Sequence, residues 1–274
     1  AIAALVGAGE TQVFARLLAL RGVTPETLAL YRRPRWSDIP EPEELPGIVE
    51  AADAVFAALR EGRRIVVFGD YDCDGVCATA ILVLVLRRLC SVCSLQFAVC
   101  SDGRGDTFSS CEKWREEGGA HPAAANSKLQ TANCKLQTQI ASFIPNRLTE
   151  GYGLSDASVA RMLAENPDVS MVLTVDNGVN AVEQIAGLKA KGISVVVTDH
   201  HLPGDELPGA DVLVDPKVSS PKELEELCGA AVAYFLARRL FRIARDLTGR
   251  DDVAGGLNGQ LLEMAALATV TDIM

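Results

Sequence analysis

The stretch Gly69-Asp70-Tyr71-Asp72-Cys73-Asp74-Gly75 places three carboxylates between a mainly apolar run, residues 64–68, and a long apolar segment with helical spacing. Alternate residues of an extended chain point the same way, so the three aspartates can converge on one point where a strand ends. Carboxylates held this close repel one another, and a divalent cation offsets that repulsion. The stretch therefore predicts a metal site where a strand meets a helix.

An ordinary turn is the alternative interpretation of this stretch. Asp and Gly are common wherever a strand turns into a helix, and Asp74 alone could serve as the helix cap. A turn of this kind needs only one of the three aspartates, so we favour the metal site.

Two later segments repeat the pattern of an apolar strand followed by ligand-type residues. Residues 169–175 end in Asp176-Asn177-Gly178, and residues 193–198 end in Asp199-His200-His201, which contains two of the three histidines in the chain. The carboxyl ends of neighbouring parallel strands line one crevice. We therefore expect these side chains to join the three aspartates of the first motif. Asp272, after the apolar stretch 264–270, is a candidate for one more oxygen ligand.

Strand and helix patterns alternate along most of the chain. The predicted strands are residues 64–69, 139–144, 170–175, 193–198 and 211–214, and the predicted helices are residues 75–89, 155–164, 180–191, 221–248 and 256–268. This alternation indicates an α/β fold with a parallel sheet flanked by helices. Residues 1–60 are expected to form a helical N-terminal segment that packs on this core, with a Pro-rich connector between Arg33 and Pro46.

Six motifs occur in an order that is typical of one superfamily. They are Asp-Tyr-Asp-Cys-Asp-Gly at 70–75, Ile-Pro-Asn-Arg at 144–147 with Glu-Gly-Tyr-Gly at 150–153, Val-Asp-Asn-Gly at 175–178, Thr-Asp-His-His at 198–201, Gly-Ala-Ala-Val-Ala at 229–233 and Ala-Thr-Val-Thr-Asp at 268–272. With these motifs the chain resembles the DHH phosphoesterase superfamily, and most closely its single-stranded-DNA exonucleases. The resemblance covers most of the chain except residues 90–137.

The resemblance implies a 5′-to-3′ exonuclease that hydrolyses phosphodiester bonds of single-stranded DNA with two Mn²⁺ or Mg²⁺ ions. Two divalent ions can contact both the attacking and the leaving oxygen of such a displacement. The metal ligands that it implies are Asp72, Asp74, Asp176, His200 and Asp272. Asp176 is expected to bridge the two ions, and Asp70 to assist beside them.

The resemblance also implies catalytic roles for four residues outside this ligand set. His201 is expected to meet the scissile phosphate or to orient the site, and Asp199 to fix the tautomer of a histidine. Asn146 and Arg147 precede the Gly-Tyr-Gly motif, where an arginine offers two planar donors to a phosphate. A surface ion pair is the alternative for Arg147.

Domain organisation, partners and location follow from the resemblance as expectations. Residues 61–274 should form the catalytic domain, interrupted by an atypical insertion at about residues 90–137. The smaller second domain of the family is expected to lie beyond Met274, so we interpret the chain as a fragment. We expect single-stranded DNA and a single-strand-binding protein as partners, a cytoplasmic location and no membrane association, because the apolar run 78–86 is too short to span a bilayer.

Two other functions remain open at this stage. Relatives within the superfamily hydrolyse short oligonucleotides, pyrophosphate or cyclic dinucleotides, and metal ligands alone do not separate these substrates. An inactive binding module of the same superfamily is the second alternative, and the intact ligand set argues against it.

The net charge of −10 is unusual for a protein that binds DNA. Nucleic-acid affinity normally depends on basic residues, although bound cations offset clustered carboxylates locally. Besides Arg147, the candidate phosphate contacts are Lys217, Arg238 and Arg239, and a solvated helix face is the alternative for the last two.

The insertion at residues 90–137 has its own composition. It contains five of the eight cysteines, Cys90, Cys93, Cys100, Cys111 and Cys134, and a heptad at 126–132 that is nearly repeated at 133–139. We interpret it as a mobile loop. Zinc binding by its cysteines with His121 is the alternative, but their spacing matches no paired zinc motif. Asp102, Asp106 and His121 are interpreted as structural.

Overall fold

The central feature is a five-stranded parallel sheet. The computed structural model describes residues 1–100 and 140–274. The strands in these residues are β1 Ile65–Phe68, β2 Ile140–Phe143, β3 Met171–Val175, β4 Ser194–Thr198 and β5 Val212–Val214. They lie in the order β2-β1-β3-β4-β5, and all paired strands are parallel. The predicted α/β class is therefore confirmed.

The order in which strands are added to the sheet reverses at β1. This strand pairs with β2 on one side and with β3 on the other, with Ile65 opposite both Ile140 and Met171. Connections that leave a strand toward opposite sides open a crevice at the carboxyl ends, where ligands of parallel α/β sheets bind. Every residue of β1 and β3 is buried, as expected for strands covered on both faces. The motif at residues 69–75 thus begins at the mouth of this crevice.

Helices cover the sheet in the larger part of the chain. Their bounds are α4 Ile48–Arg60, α5 Cys73–Cys100, α6 Arg147–Glu150, α7 Asp156–Glu165, α8 Val182–Ala190, α9 Pro216–Ser219, α10 Gly229–Thr248 and α11 Leu257–Thr271. Helices α5, α10 and α11 pack against one another, and α4 packs against α10 and β5.

Two predicted helix boundaries are corrected. Helix α5 continues to Cys100 instead of ending at residue 89, because Leu89, Cys90 and Val92 stay on its buried side. Helix α10 begins at Gly229 instead of residue 221, after a separate 3-10 turn at Lys222–Leu224. The start of the expected insertion at residue 90 is therefore helical.

The rest of the insertion lies outside the described residues. This holds for the repeated heptad and for Cys111, Cys134, Asp102, Asp106 and His121. Nothing in the described residues tests the zinc alternative, and Cys90 is buried in α5.

Helix α5 corrects one further expectation. Its segment Cys73–Val92 is long and apolar enough to cross a membrane by length and composition alone, contrary to the estimate from residues 78–86. About 61% of the most apolar part of this segment is buried inside the fold, where it faces α10, α11 and the sheet. A buried core helix passes the same test, so the finding is weak evidence for a membrane span.

The chain divides into two units, Ala1–Glu41 and Pro42–Met274, instead of dividing after residue 60. Helix α4 belongs to the larger unit because Ile48, Val55 and other residues of its apolar face are buried there.

The smaller unit consists of three short helices, which agrees with the predicted helical N-terminus. They are α1 Ile2–Gly7, α2 Gln12–Leu20 and α3 Leu28–Arg32. A small apolar cluster joins them, formed by Leu5, Ala15, Leu18, Val23 and Leu28. An ion pair between Arg32 and Glu10 connects the end of α3 to the segment before α2.

The packing of α10 leads to a prediction about the stability of the fold. Leu240 is fully buried in this helix, whereas Leu247, the residue before its last, is half exposed. Leu240→Ala removes buried methyl groups and leaves a cavity, so we expect a loss of about 2–5 kcal/mol in the free energy of unfolding. Leu247→Ala, the matched control, should change it by no more than about 0.5 kcal/mol. Urea unfolding followed by circular dichroism measures both, and equal losses would contradict the burial of this helix face.

Candidate metal centre

The carboxyl ends of three strands and two helix ends supply the side chains of the predicted site. Asp70 follows β1, Asp176 follows β3, and the Asp199-His200-His201 run follows β4. The first turn of α5 carries Asp74, and Asp272 directly follows α11. The crevice at the switch of strand order therefore collects all of the sequence-predicted metal ligands.

These side chains form three overlapping groups. Within each group the candidate ligand atoms lie within 4.8 Å of one another. The groups are Asp176 with His200 and His201, Asp74 with His200 and Asp272, and Asp70 with Asp72 and Asp176. Since Asp176 and His200 each belong to two groups, the site is one continuous cluster.

Asp176 lies at the centre of this cluster and is almost fully buried. Its Oδ1 lies 3.0 Å from His200 Nε2, but neither carboxylate oxygen has a hydrogen-bond partner among the described residues. Burial, together with the nearby charges of Asp74 and Asp72, raises the pKa of Asp176 far above its ordinary value. Its φ of 61° is in the left-handed region, a strained conformation that often marks functional sites.

Asp74 is held by the N-terminus of α10. Its Oδ2 accepts the Gly229 N–H at 2.6 Å, and its Oδ1 accepts the Ala230 N–H at 2.7 Å. A helix N-terminus stabilises a carboxylate because its free N–H groups and dipole are positive. Asp74 Oδ2 also lies 3.4 Å from His200 Nε2. The helix end thus orients one carboxylate of the cluster.

Gly229 is needed for this close approach. A Cβ at this position would lie 2.7 Å from both the Cβ and the Oδ1 of Asp176. Sequence reasoning included Gly229 in a motif without giving it a role, and the signal was present in the small residues Gly229-Ala230-Ala231.

Asp72, not Asp74, caps helix α5. Its Oδ1 accepts the Gly75 N–H at 2.9 Å, which corrects the alternative that Asp74 is the cap. Asp70 is fully buried, and its Oδ1 accepts the Tyr71 N–H at 2.7 Å. Burial raises the pKa of Asp70, and its Oδ2 has no partner among the described residues.

Asp199 organises the histidine pair. Its Oδ2 accepts the Val179 N–H at 2.8 Å, and its Oδ1 accepts the His200 N–H at 2.8 Å. The same Oδ1 lies 2.7 Å from His201 Nδ1. Although burial opposes ionisation, the hydrogen bond from His201 and the backbone N–H groups keep the pKa of Asp199 below its ordinary value. Asp199 therefore holds the Nδ1 side of the His201 ring.

The two imidazoles have opposite environments. Burial and the neighbouring His201 lower the pKa of His200, whose ring nitrogens have no hydrogen-bond partner among the described residues. The hydrogen bond with Asp199 raises the pKa of His201, which is only partly buried. A neutral buried His200 suits a metal ligand, whereas a charged His201 suits an anion.

Tyr152 is a site residue that sequence reasoning missed. Its hydroxyl lies 3.0 Å from His201 Nε2, and the two rings meet edge to face with centroids 5.9 Å apart. Gly153, with a φ of 56°, packs beside Asn177. The Gly-Tyr-Gly motif was recognised, but the role of its tyrosine depends on a contact with a residue 49 positions later.

Asn146 and Arg147 lie at the start of α6. The Asn146 side chain caps this short helix by accepting the Leu148 N–H at 3.0 Å. The guanidinium of Arg147 lies 4.6 Å from the centroid of the Tyr71 ring, within the aspartate motif. No described residue forms an ion pair with Arg147, so the ion-pair alternative finds no support. Its exposed donors remain available beside the cluster.

An ion pair between Arg161 and Glu150 stabilises the segment that contains Asn146 and Arg147. Arg161 pairs with Glu150 and donates to the Ile144 carbonyl at 3.0 Å, while Glu150 Oε2 accepts the Asn146 N–H at 2.7 Å. Among the other candidate phosphate contacts, Arg239 lies 3.5 Å from Glu43 and its side chain is only 22% exposed, which differs from the solvated helix face given as its alternative.

The donor set fits divalent cations. Buried polar atoms normally have partners, yet Asp70 Oδ2, both Asp176 oxygens and both His200 ring nitrogens have none among the described residues. Carboxylate oxygens are the ligands that Mg²⁺ and Mn²⁺ prefer, whereas imidazole is a ligand of transition-metal ions. The described residues therefore contain acidic and histidine groups able to bind metal, as predicted.

Comparisons with known proteins agree with this geometry. The model of the DHH family, N-terminal domain, matches residues 64–269. The single-stranded-DNA-specific exonuclease RecJ of Salmonella typhimurium is 32% identical over 235 residues, which cover 85% of this chain and 32% of that protein. The same enzyme of Bacillus subtilis is 29% identical over 266 residues, covering 96% of this chain and 26% of that protein.

A solved structure agrees as well. The crystal structure of exonuclease RecJ bound to manganese matches with a TM-score of 0.51 and 29% identity, over 83% of this chain and 48% of that chain. The present chain spans about a third or less of the length of the curated relatives that it matches.

The approach of α10 to Asp176 makes a prediction about metal binding. In Gly229→Ala the added Cβ forces the helix end and Asp176 apart, so we expect Mn²⁺ affinity to fall by about 10- to 100-fold, as for other residues behind a metal site. Isothermal titration calorimetry measures the affinity. Gly259→Ala, in α11 with open space around its Cβ, is the matched control and should bind Mn²⁺ normally. Unchanged affinity in Gly229→Ala would disprove the role of this close approach.

Proposed function

The chain belongs to the DHH family, and from this premise we propose that it is a metal-dependent phosphoesterase that releases nucleotides from the 5′ end of single-stranded DNA. The observation that carries the proposal is the continuous cluster around Asp176 and His200, whose buried ligand atoms have no hydrogen-bond partner within residues 1–100 and 140–274. The names of the relatives support the choice of single-stranded DNA.

In this proposal the ligands are Asp72, Asp74, Asp176, His200 and Asp272, with Asp70 beside them. When bound, two divalent cations supply Lewis acidity and a metal-bound water of lowered pKa at the scissile phosphate. Asp176 would hold cations in both groups to which it belongs, one with Asp70 and Asp72 and the other with His200 and His201.

His201 is proposed to donate a hydrogen bond to a phosphate oxygen. Asp199 holds Nδ1, so Nε2 points to the partly exposed side of the cluster, where the Tyr152 hydroxyl now lies. The raised pKa of His201 favours the doubly protonated ring, in which both nitrogens donate. A substrate phosphate would replace the Tyr152 hydroxyl at His201 Nε2, or would share this nitrogen with it.

Arg147 is proposed to hold a second phosphate of the strand. The guanidinium of Arg147 lies over the Tyr71 ring, and the residue is exposed, so its N–H groups are accessible to a ligand. An arginine in this state can donate two parallel hydrogen bonds to a phosphate. The Asn146 cap and the Glu150–Arg161 pair keep its backbone in place.

The alternative within the family is a phosphodiesterase for short oligonucleotides or cyclic dinucleotides. The cluster itself suits any of these phosphodiesters, so the substrate must be tested directly. A complete set of ligands speaks against an inactive binding module. The cytoplasmic location and the single-strand-binding protein partner remain predictions from the resemblance.

One prediction concerns Asp176, the candidate ligand that belongs to two of the groups. Asp176→Asn keeps the shape of the side chain but weakens its hold on two cations, so Mn²⁺-dependent nucleotide release from long single-stranded DNA should fall by more than about 100-fold. The matched control is Asp251→Asn, at an exposed position in the turn before α11. Activity is measured as release of nucleotides from DNA labelled at its 5′ end, with EDTA as the metal-free reference.

Three substrates separate the proposal from its alternatives. Long single-stranded DNA should be degraded faster than a trinucleotide or a cyclic dinucleotide. Preference for either small substrate would favour the alternative phosphodiesterase. Normal Mn²⁺ binding without hydrolysis of any substrate would favour the inactive module.

A second prediction separates orientation from metal binding. Asp199→Asn replaces the acceptor for His201 Nδ1 with an amide that holds the ring less strongly, so kcat should fall by roughly 10- to 100-fold. KM for DNA and Mn²⁺ affinity should change much less. Asp205→Asn, an exposed position in the loop after His201, is the control. A larger effect on KM than on kcat would mean that Asp199 serves substrate binding instead.

A further inference from the structure

The segment Tyr31-Arg32-Arg33-Pro34-Arg35-Trp36 is the feature that the metal centre leaves unexplained. It places three arginines and two aromatic residues within six positions of a chain whose net charge is −10. All six residues lie in the smaller unit, Ala1–Glu41, and none is a candidate metal ligand.

Both aromatic rings are exposed. Tyr31, in α3, is 50% exposed, and Trp36, which opens the 3-10 turn Trp36–Asp38, is 59% exposed. Large aromatic side chains are normally buried, so two exposed rings this close in sequence need an explanation. Five residues of fully extended chain span at most about 18 Å, so the rings are within reach of one short ligand.

The arginines keep donors for a ligand. Arg33 is exposed, and no described residue forms an ion pair with it. Arg35 donates from Nη2 to Asp38 Oδ1 at 3.1 Å and from Nε to Asp38 Oδ2 at 3.3 Å, but its side chain is 77% exposed. A guanidinium has five N–H donors, so three remain. Arg32 forms an ion pair with Glu10, so it has fewer N–H donors available for a ligand.

The backbone holds this arrangement in a defined shape. Helix α3 ends at Arg32, and Pro34 prevents its continuation. Asp38 then closes the next turn, because its Oδ2 accepts the Arg35 N–H at 2.7 Å. The rings are therefore presented from two short helical turns instead of a random coil, which lowers the entropic cost of binding.

We infer that Tyr31, Arg33, Arg35 and Trp36 form a second contact surface for single-stranded nucleic acid. Unpaired bases stack on exposed aromatic rings without regard to sequence, while arginines neutralise the phosphates between them. A duplex hides its base faces, so it cannot use the rings. The choice of nucleic acid over another polyanion rests on the proposed function, but binding at this surface requires neither metal nor hydrolysis.

Binding of a labelled strand tests the inference. The probe is fluorescein-labelled oligodeoxythymidylate of about 20 nucleotides, longer than typical sites of 4–16 nucleotides, and the readout is fluorescence anisotropy in EDTA. Trp36→Ala should weaken binding by about 5- to 150-fold, the fold-change equivalent to one lost stacking contact. Trp36→Phe should keep most of the affinity. Phe14→Ala, an exposed aromatic position in α2, is the matched control and should bind normally.

Salt dependence tests the arginines separately. If Arg33 and Arg35 each neutralise one phosphate, the double alanine variant should reduce the slope of log affinity against log salt by about 1.4. Arg16→Ala, exposed on α2, should leave the slope unchanged.

Four outcomes would overturn the inference. They are unchanged affinity in Trp36→Ala, an equal loss in Phe14→Ala, equal affinity for a duplex of the same length, and preference for anionic lipid vesicles over the oligonucleotide. Each is measured without metal. A failure of nuclease activity with normal strand binding would instead count against the proposed function alone.

Discussion

Mutual repulsion among buried carboxylates is the constraint on which the site depends. Asp70, Asp74 and Asp176 are each at most 1% exposed, yet their oxygens converge with an imidazole at one end of the sheet. Like charges in such a place would normally take up protons or move apart. The N-terminus of α10 holds Asp74, whereas the oxygens of Asp176 have no hydrogen-bond partner in the part of the chain that the structure describes. A cation is the component that completes this arrangement.

The parallel sheet explains why the groups meet. Strands β1, β3 and β4 run in the same direction, so the loops that follow them all open at one edge of the sheet. The helices then set the orientation of individual side chains: α5 supplies Asp74, α10 supplies two N–H groups, and α11 brings Asp272 to within 3.6 Å of His200. Glycines at 69, 75 and 229 allow these close approaches, because an added Cβ at each would clash with a neighbour.

Much of the fold could be predicted from the sequence, and each prediction that was wrong has a specific cause. Strand positions followed from apolar runs, and the candidate ligands were suggested by motifs, mostly at strand ends, and assigned by the family resemblance. The start of α10 at Gly229 was missed because residues 221–228 also suit a helix by composition, and the true start is set by contacts with Asp74. The cap on α5 was assigned to Asp74 as an alternative, but Asp72 has the required spacing to Gly75. The unit boundary at residue 41 depends on packing of α4, which local patterns do not reveal.

The sequence by itself determined the class of fold, the family and the residue types at the site, because apolar periodicity and short motifs are local properties of the chain. Only the tertiary structure decided which atoms meet. The 155-residue separation between Asp74 and Gly229, and the 49-residue separation between Tyr152 and His201, leave no local signal. Such contacts arise when the sheet closes and the helices pack, since burial and hydrogen-bond geometry are properties of the whole fold.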